Sequence, residues 1–283
     1  MNSRKRKPTF VLIIPRFEDF SHSYFAGQII HGVSLSASRL NADILVHIVD
    51  RSNHRGWLDS SLLDKRYIDG IIFADIDNDL GVVKNAITSG VPCMILNNLL
   101  DEPVNYVAVD NEKAGEDVVD YLVGLGHKKI ATVAGDLNTQ AGAKRLEGYR
   151  AALAKRRIEL PKNYIAEGNF LRTPARQAAQ KLLKLKDRPT AIFVASDVMA
   201  LEVIDIARSM NIKVPEELSI VGFDDNPICS NSPVELTTVS QPLVEMGRVG
   251  AENLSLISIG KAKLPVKIKL PTKLIKRGSA VKL

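Results

Sequence analysis

Residues 190–227 read TAIFVASDVMALEVIDIARSMNIKVPEELSIVGFDDNP. The apolar run "AIFVA" has strand length and ends at Ser196-Asp197. Apolar residues at helical spacing follow, with Asp197 as the expected N-cap. A second apolar run, "LSIVG", then stops at Phe223 and two adjacent carboxylates, Asp224 and Asp225. Strand, helix and strand in succession form one βαβ unit, whose strands lie parallel with the helix across a sheet face.

The unit repeats in both directions. Upstream, "TFVLIIP", "DILVHIVD", "DGIIFAD", "VPCMILNN" and "YVAVD" are strands. The helical patterns among them are "YFAGQIIHGVSLSASRL", "GWLDSSLLDKR", "DLGVVKNAITSG" and "NEKAGEDVVDYLVGLG". The alternation restarts with "KKIATVAG", helix "QAGAKRLEGYRAALAKR", strand "NYIAEGNF" and helix "PARQAAQKLLKL". After the opening stretch come "LTTVS", a helix started by Pro242, and "VKIKLPTKLIKR", whose alternation reads as a half-exposed strand. The fold class is therefore α/β, with parallel sheets covered on both faces.

One core rarely grows past about 250–300 residues, and this chain has 283. Two doubly wound lobes are expected, residues 10–127 with 241–260 and residues 128–240 with 261–283, behind a basic tail at 1–9. No Pro/Gly/Ser-rich linker separates them, so the chain should cross between lobes through ordered segments. Ligands of open α/β sheets bind beyond the carboxyl ends of the strands. Facing lobes would make a cleft there, with Asp224, Asp225, Asp110 and Ser196-Asp197 at strand ends.

Composition narrows the function. The longest apolar runs are far too short to span a bilayer. The basic N-terminus is followed only by Phe10–Ile14 before Pro15, which lacks the apolar length and cleavage site of a signal peptide. A cytoplasmic protein without membrane contact is expected. Two cysteines, Cys93 and Cys229, make neither a disulfide framework nor a zinc motif. The net charge is +6, but twelve of the 38 basic residues lie in the first seven and last 23 positions. The 32 acidic residues outnumber the 26 basic ones that remain, so the body is acidic and offers no groove for phosphate backbones.

Two adjacent acids at a strand end admit three chemistries: a catalytic pair, a hard-cation site, or one carboxylate for ligand hydroxyls beside another serving the turn before Asn226-Pro227. Neighbours on a strand point to opposite faces, which disfavours a shared-proton pair. The five histidines share no metal spacing, and no nucleophile elbow or phosphate loop is present. No catalytic set, metal or cofactor is expected.

The stretch from Val194 through "VPEELSIVGFDD" and "PVELTTVSQPLVEMGRVGAENL", with "VDNEKAGEDVVDYLVGLGHKKIA" and "RLEGYRAAL", resembles the LacI/GalR family of bacterial transcription regulators. The similarity runs from about Phe10 to Arg277. It implies a periplasmic-binding-protein-like core that binds a small sugar-like or nucleoside effector between its lobes, in a homodimer. The family carries a helix-turn-helix headpiece ahead of this core, and only "MNSRKRKPT" precedes the first strand here. Operator DNA is therefore expected to be reached only through a headpiece absent from this chain. The alternative is a free-standing sugar-binding protein of a transport system, against which the missing signal peptide argues.

Matched residue by residue, Asp224 corresponds to the family aspartate that accepts effector hydroxyls, and Asp225 is left to the turn. Arg145 corresponds to an arginine that donates to the effector. Phe170 matches an aromatic cleft position. Phe17, Tyr24 and Phe25 follow the first strand, where the family places effector contacts, although Phe25 also fits the apolar helix stripe. Asp110 is a contact or a helix cap, Ser196 a polar contact, and Gln241 a residue at a lobe crossing. Asp224→Ala and Arg145→Ala are expected to weaken effector binding and leave the fold intact.

Overall fold

The computed structural model describes residues 6–16, 23–50, 64–76, 81–230 and 234–283. In chain order these form β1 (Thr9–Arg16), α1 (Tyr24–Leu40), β2 (Asp43–Asp50), β3 (Gly70–Ala74), α2 (Gly81–Thr88), β4 (Cys93–Leu96), β5 (Tyr106–Val109) and α3 (Asn111–Gly124). Then come β6 (Ile130–Ala134), α4 (Gln140–Lys155), β7 (Ile165–Glu167), α5 (Arg172–Leu183), β8 (Ala191–Val194), α6 (Asp197–Ser209) and β9 (Ser219–Val221). The last elements are β10 (Thr238–Ser240), α7 (Leu243–Ser258), β11 (Lys267–Leu270) and β12 (Lys273–Ile275). The chain divides into unit 1, residues 1–109 with 242–270, and unit 2, residues 110–241 with 271–283.

Unit 1 is a wholly parallel six-stranded sheet in the order β11-β5-β4-β3-β1-β2. Its first strand explains the unbroken apolar run. Phe10, Leu12 and Ile14 pack into one cluster with α1 and α7. Val11 and Ile13 pack into another, on the opposite face, with Val83 and Ala86 of α2. All five are at most 1% exposed, and burial of each such side chain contributes about 1.5–3 kcal/mol. The start of α1 is capped by Ser23, whose Oγ accepts from the Ala26 amide at 3.3 Å.

Unit 2 has the parallel order β7-β6-β8-β9. Parallel bridges at Val221–Thr237 and Asp224–Ser240 bring β10 alongside the end of β9, and β12 runs antiparallel to β10. Ala131, Val133, Ile192 and Val194 pack with α5 and α6, whereas Ile130, Ala134, Ala191 and Phe193 pack with α3 and α4.

The structure differs from the sequence reading in four places. First, α3, expected in the first lobe, belongs to unit 2. Its Val118, Val119 and Leu122 share a core with Leu146, Tyr149 and Leu153 of α4. The two helices cross so closely that a Cβ on Gly115 would sit 2.6 Å from the Arg145 carbonyl oxygen, and one on Gly148 would sit 2.0 Å from that of Glu112. Second, the C-terminal alternating strand is two strands. β11 pairs with β5 in unit 1 and β12 pairs with β10 in unit 2, with Pro271 between them. Third, the strand expected over "NYIAEGNF" keeps only Ile165–Glu167, because Asn169 and Phe170 turn into the left-handed region at φ 55° and 60°. Fourth, Ser196, not Asp197, is the N-cap of α6, its Oγ accepting from the Met199 amide at 3.4 Å. The helix expected over "GWLDSSLLDKR" falls outside the described residues except for Asp64–Arg66, which form a bend and turn.

Candidate functional site

Unit 2 gathers several of the expected residues at the carboxyl ends of β8 and β9. Arg145, on α4, is only 3% exposed, although arginine is almost never buried unless paired. Its Nε donates to Asn111 Oδ1 at 2.8 Å, and its Nη1 donates to the Ala195 carbonyl at 2.6 Å. The guanidinium carbon lies 3.6 Å from the centre of the Phe223 ring and 5.8 Å from that of Phe170. A planar, weakly hydrated cation suits such a stacked, hydrogen-bonded seat, and lysine would not. The close crossing of α3 and α4 is what brings Asn111 within reach of Arg145.

Asp224 faces the same arginine, its Oδ1 3.9 Å from Nη1. Gln241 Nε2 donates to that oxygen at 2.7 Å. Burial raises the Asp224 carboxyl well above the usual range; Arg145 and the Gln241 hydrogen bond pull it down, and the nearby Asp197 charge pushes it up. Arg145, Asp224 and Gln241 thus form one connected network that ends on Asn111. Asn111 and Gln241 are 2% and 6% exposed. Asn111 Nδ2 and Gln241 Oε1 are each buried without a hydrogen-bond partner.

The two acids of "GFDD" serve different ends. Asp225 Oδ1 accepts from Arg277 Nη2 at 2.6 Å, which ties the loop to the segment after β12. The following turn is capped by Asn226, whose Oδ1 accepts from the Ile228 amide at 3.1 Å, and not by Asp225 as expected. A third acid braces the loop from below. Asp197, fully buried, accepts from Thr238 Oγ1 at 2.6 Å and from the Asn226 amide at 2.8 Å, and its own amide donates to the Phe223 carbonyl at 2.8 Å. Burial raises its carboxyl despite these donors. Gly222 makes room for it: a Cβ there would lie 2.2 Å from Asp197 Oδ1.

Of the other expected residues, Phe170 joins the group through its ring beside Arg145. Ser196 lies next to Ala195 and spends its hydroxyl on the α6 cap. Asp110 caps α3, accepting from the Lys113 amide at 3.0 Å. Tyr24 and Phe25 are in unit 1, partly buried against its core. Phe17 lies outside the described residues. Two participants were missing from the expected set. Asn111 was visible only as the third letter of "VDN". Phe223 was visible as the aromatic just before Asp224, where it reads equally as core. His127 does structural work: Nδ1 is 2.9 Å from Thr190 Oγ1 and Nε2 is 3.1 Å from the Val281 carbonyl. No helix among the described residues is long and apolar enough to cross a membrane.

Comparison with known proteins agrees with this architecture. A family model described as a periplasmic binding protein-like domain matches residues 119–280. The chain is 30% identical over 279 residues to the HTH-type transcriptional regulator DegA of Bacillus subtilis (strain 168), covering 97% of this chain and 81% of the relative. Among solved structures, the transcriptional regulator CelR–cellobiose complex superposes with a TM-score of 0.90 at 28% identity, covering 97% of this chain and 85% of the other. The lac repressor dimer bound to operator and the anti-inducer ONPF gives a TM-score of 0.88 at 27% identity, covering 98% and 96%. These relatives are transcriptional regulators. The chain belongs to the LacI family of transcriptional regulators and is built on their periplasmic-binding-protein-like core.

Proposed function

We propose that this chain is the effector-sensing core of a cytoplasmic transcriptional regulator. It takes a small sugar-like or nucleoside molecule at the carboxyl ends of β8 and β9 in unit 2, with Arg145, Asp224, Gln241 and Phe170 as contacts. The observation that carries this reading is the buried Arg145–Asp224 network at a strand end, held by neutral amides and flanked by aromatic rings. Hydroxyl recognition wants that combination of charged hydrogen-bonding groups and an apolar ring. The similarity to a regulator solved with cellobiose and to a repressor dimer on operator supports a sugar-class effector, a homodimer and coupling to DNA through a headpiece. Effector binding would act by shifting the population between conformations of different DNA affinity. Tyr24 and Phe25 are assigned to the unit 1 core.

The test is a thermal-shift screen with neutral sugars, sugar phosphates and nucleosides. A ligand at 100 times its Kd stabilises the folded state by about 2.7 kcal/mol. A shift produced by one chemical class and abolished by Asp224→Asn is expected. Shifts that survive Asp224→Asn would place the effector elsewhere.

A further inference from the structure

The end of α7 breaks a rule of helix termination. Gly260 turns into the left-handed region at φ 69°. Its amide donates to the Ile257 carbonyl at 3.0 Å, and the Lys261 amide donates to that of Leu256 at 2.8 Å. This pair of bonds is the Schellman arrangement, in which the residue after the glycine is commonly apolar and covers the one five places earlier. Here that residue is Lys261, and Leu256 stays 43% exposed. Ile259 and Leu264 follow at 58% and 59%. Single apolar residues on a surface are ordinary, but three aliphatic side chains so close in the chain make a patch.

The charge around them is one-sided. From Asn253 to Leu283 the chain contains no acidic residue. Lys267 spends its ammonium on the Leu100 and Asp101 carbonyls, each at 3.0 Å, beside the Tyr106 ring. Lys261 and Lys263 are exposed, and neither side chain has an ion pair or a hydrogen bond among the described residues. Other cations of unit 1 are matched, Arg6 with Asp69 and Arg248 with Glu245 and Glu252. The segment is also pinned at both ends. The cap holds it at Lys261, and the Val266 amide donates to Asn105 Oδ1 at 2.9 Å where the chain enters β11. A surface ordered before its partner arrives loses little conformational freedom on binding.

We propose that residues 256–264 are a docking surface for an acidic segment of a partner protein that carries aliphatic side chains beside its carboxylates. The carboxylates meet Lys261 and Lys263, and the aliphatic groups cover Leu256, Ile259 and Leu264. Nucleic-acid phosphates would use the two lysines and leave the three aliphatics in water. The broken cap rule fits the same reading, because an apolar residue after Gly260 would close over Leu256 and remove a charge.

The experiment titrates the full chain into a fluorescein-labelled helical peptide with leucines at i, i+3, i+4 and i+7 and glutamates on both flanks, followed by anisotropy. Two control peptides replace every leucine by serine or every glutamate by glutamine. The expected result is saturable binding of the first peptide, weaker by about tenfold or more for each control and weakening as salt rises. Ile259→Ser with Leu264→Ser, and separately Lys261→Glu with Lys263→Glu, should each weaken the first peptide about tenfold or more. All four side chains are exposed, so the unfolding midpoint should not move. Lys261→Leu completes the apolar contact of the cap. It should raise the unfolding midpoint and still weaken the peptide, a combination that a merely structural lysine would not give. No binding of the first peptide, or equal binding by the wild type and the variants, would overturn the proposal. A serine peptide that binds as well as the leucine one would overturn it too. Binding to a mixed-sequence DNA duplex or to phosphatidylglycerol vesicles that the Ile259 and Leu264 changes weaken, with the peptide unaffected, would replace the protein partner by nucleic acid or lipid. A dimer turned into a monomer by those same two changes would make this face a contact between copies of the chain and overturn the proposal.

Discussion

Arg145→Ala should cost far more than ligand affinity. From sequence alone this change was expected to spare the fold, but in the structure the guanidinium is part of the interior of unit 2. Its removal strips donors from Asn111 Oδ1 and the Ala195 carbonyl and leaves the Phe223 face unpacked. It also leaves Asp224, whose side chain is only 17% exposed, without its cation. Breaking a buried pair by removing one partner costs about 3–5 kcal/mol, a large share of a stability of about 5–15 kcal/mol. The deficit should depend on pH in a defined direction. Arg145 lowers the Asp224 carboxyl against the pull of burial, so its loss lets that carboxyl rise further. A group whose folded value lies above its unfolded value, about 3.9 for aspartate, contributes most below the unfolded value. That contribution is lost as pH rises through the folded value. The variant's deficit should therefore be smaller at pH 5, where Asp224 is protonated, than at pH 8. Urea unfolding followed by circular dichroism at both pH values measures it. A deficit under about 1 kcal/mol at pH 8, or one that shrinks as pH rises, would refute the reasoning.

The wild-type chain should show the same sign. Burial lifts Asp197 to about 6 and Asp224 to about 7, so their contribution to stability falls as pH rises through 6 and 7. Asp224→Asn should flatten that part of the urea-midpoint profile, and an unchanged slope would count against it. Gly222→Ala would place a methyl 2.2 Å from Asp197 Oδ1. Overpacking of this kind costs about 1–3 kcal/mol, so a melting temperature equal to wild type would show that the loop yields freely. Light scattering at tens of micromolar should give twice the 31.0 kDa chain mass, and a monomer would remove the homodimer from the proposed function.

The fold was legible because both faces of each sheet are covered. Strands such as Phe10–Ile14 and Ala191–Val194 had to be apolar at every position, and only buried parallel strands combine that with intervening amphipathic helices. What could not be read was where each segment goes. α3 follows β5 directly, and its sequence has the same amphipathic pattern whichever sheet it covers. Its place is set by Gly115 and Gly148, glycines whose meaning appears only when the two helices touch. The C-terminal alternation was likewise real. Its division between two sheets is a long-range choice, and local periodicity does not report it.

The candidate site was legible at Arg145, Asp224, Gln241 and Phe170 and opaque at Asn111 and Phe223, and its geometry also answers why a strand should end in two acids. Asp224 and Asp225 have φ values of 122° and 58°, conformations that cost an L-residue of order 1–3 kcal/mol each unless the surroundings hold them. The surroundings do hold them. The Asp224 amide donates to the Val239 carbonyl at 2.8 Å, Asp225 is anchored by Arg277, and the next amide, Asn226, is anchored by Asp197. With the backbone turned this way, the side chains part, one toward Arg145 and Gln241 and the other toward Arg277. A regular strand end would also have separated them, but it would not have aimed Asp224 into a buried network. Glycine at these positions would relieve the backbone and remove the carboxylates. The conformation is held by these partners, and sequence motifs cannot display it because it lies in dihedral angles set by residues up to 52 positions away in the chain.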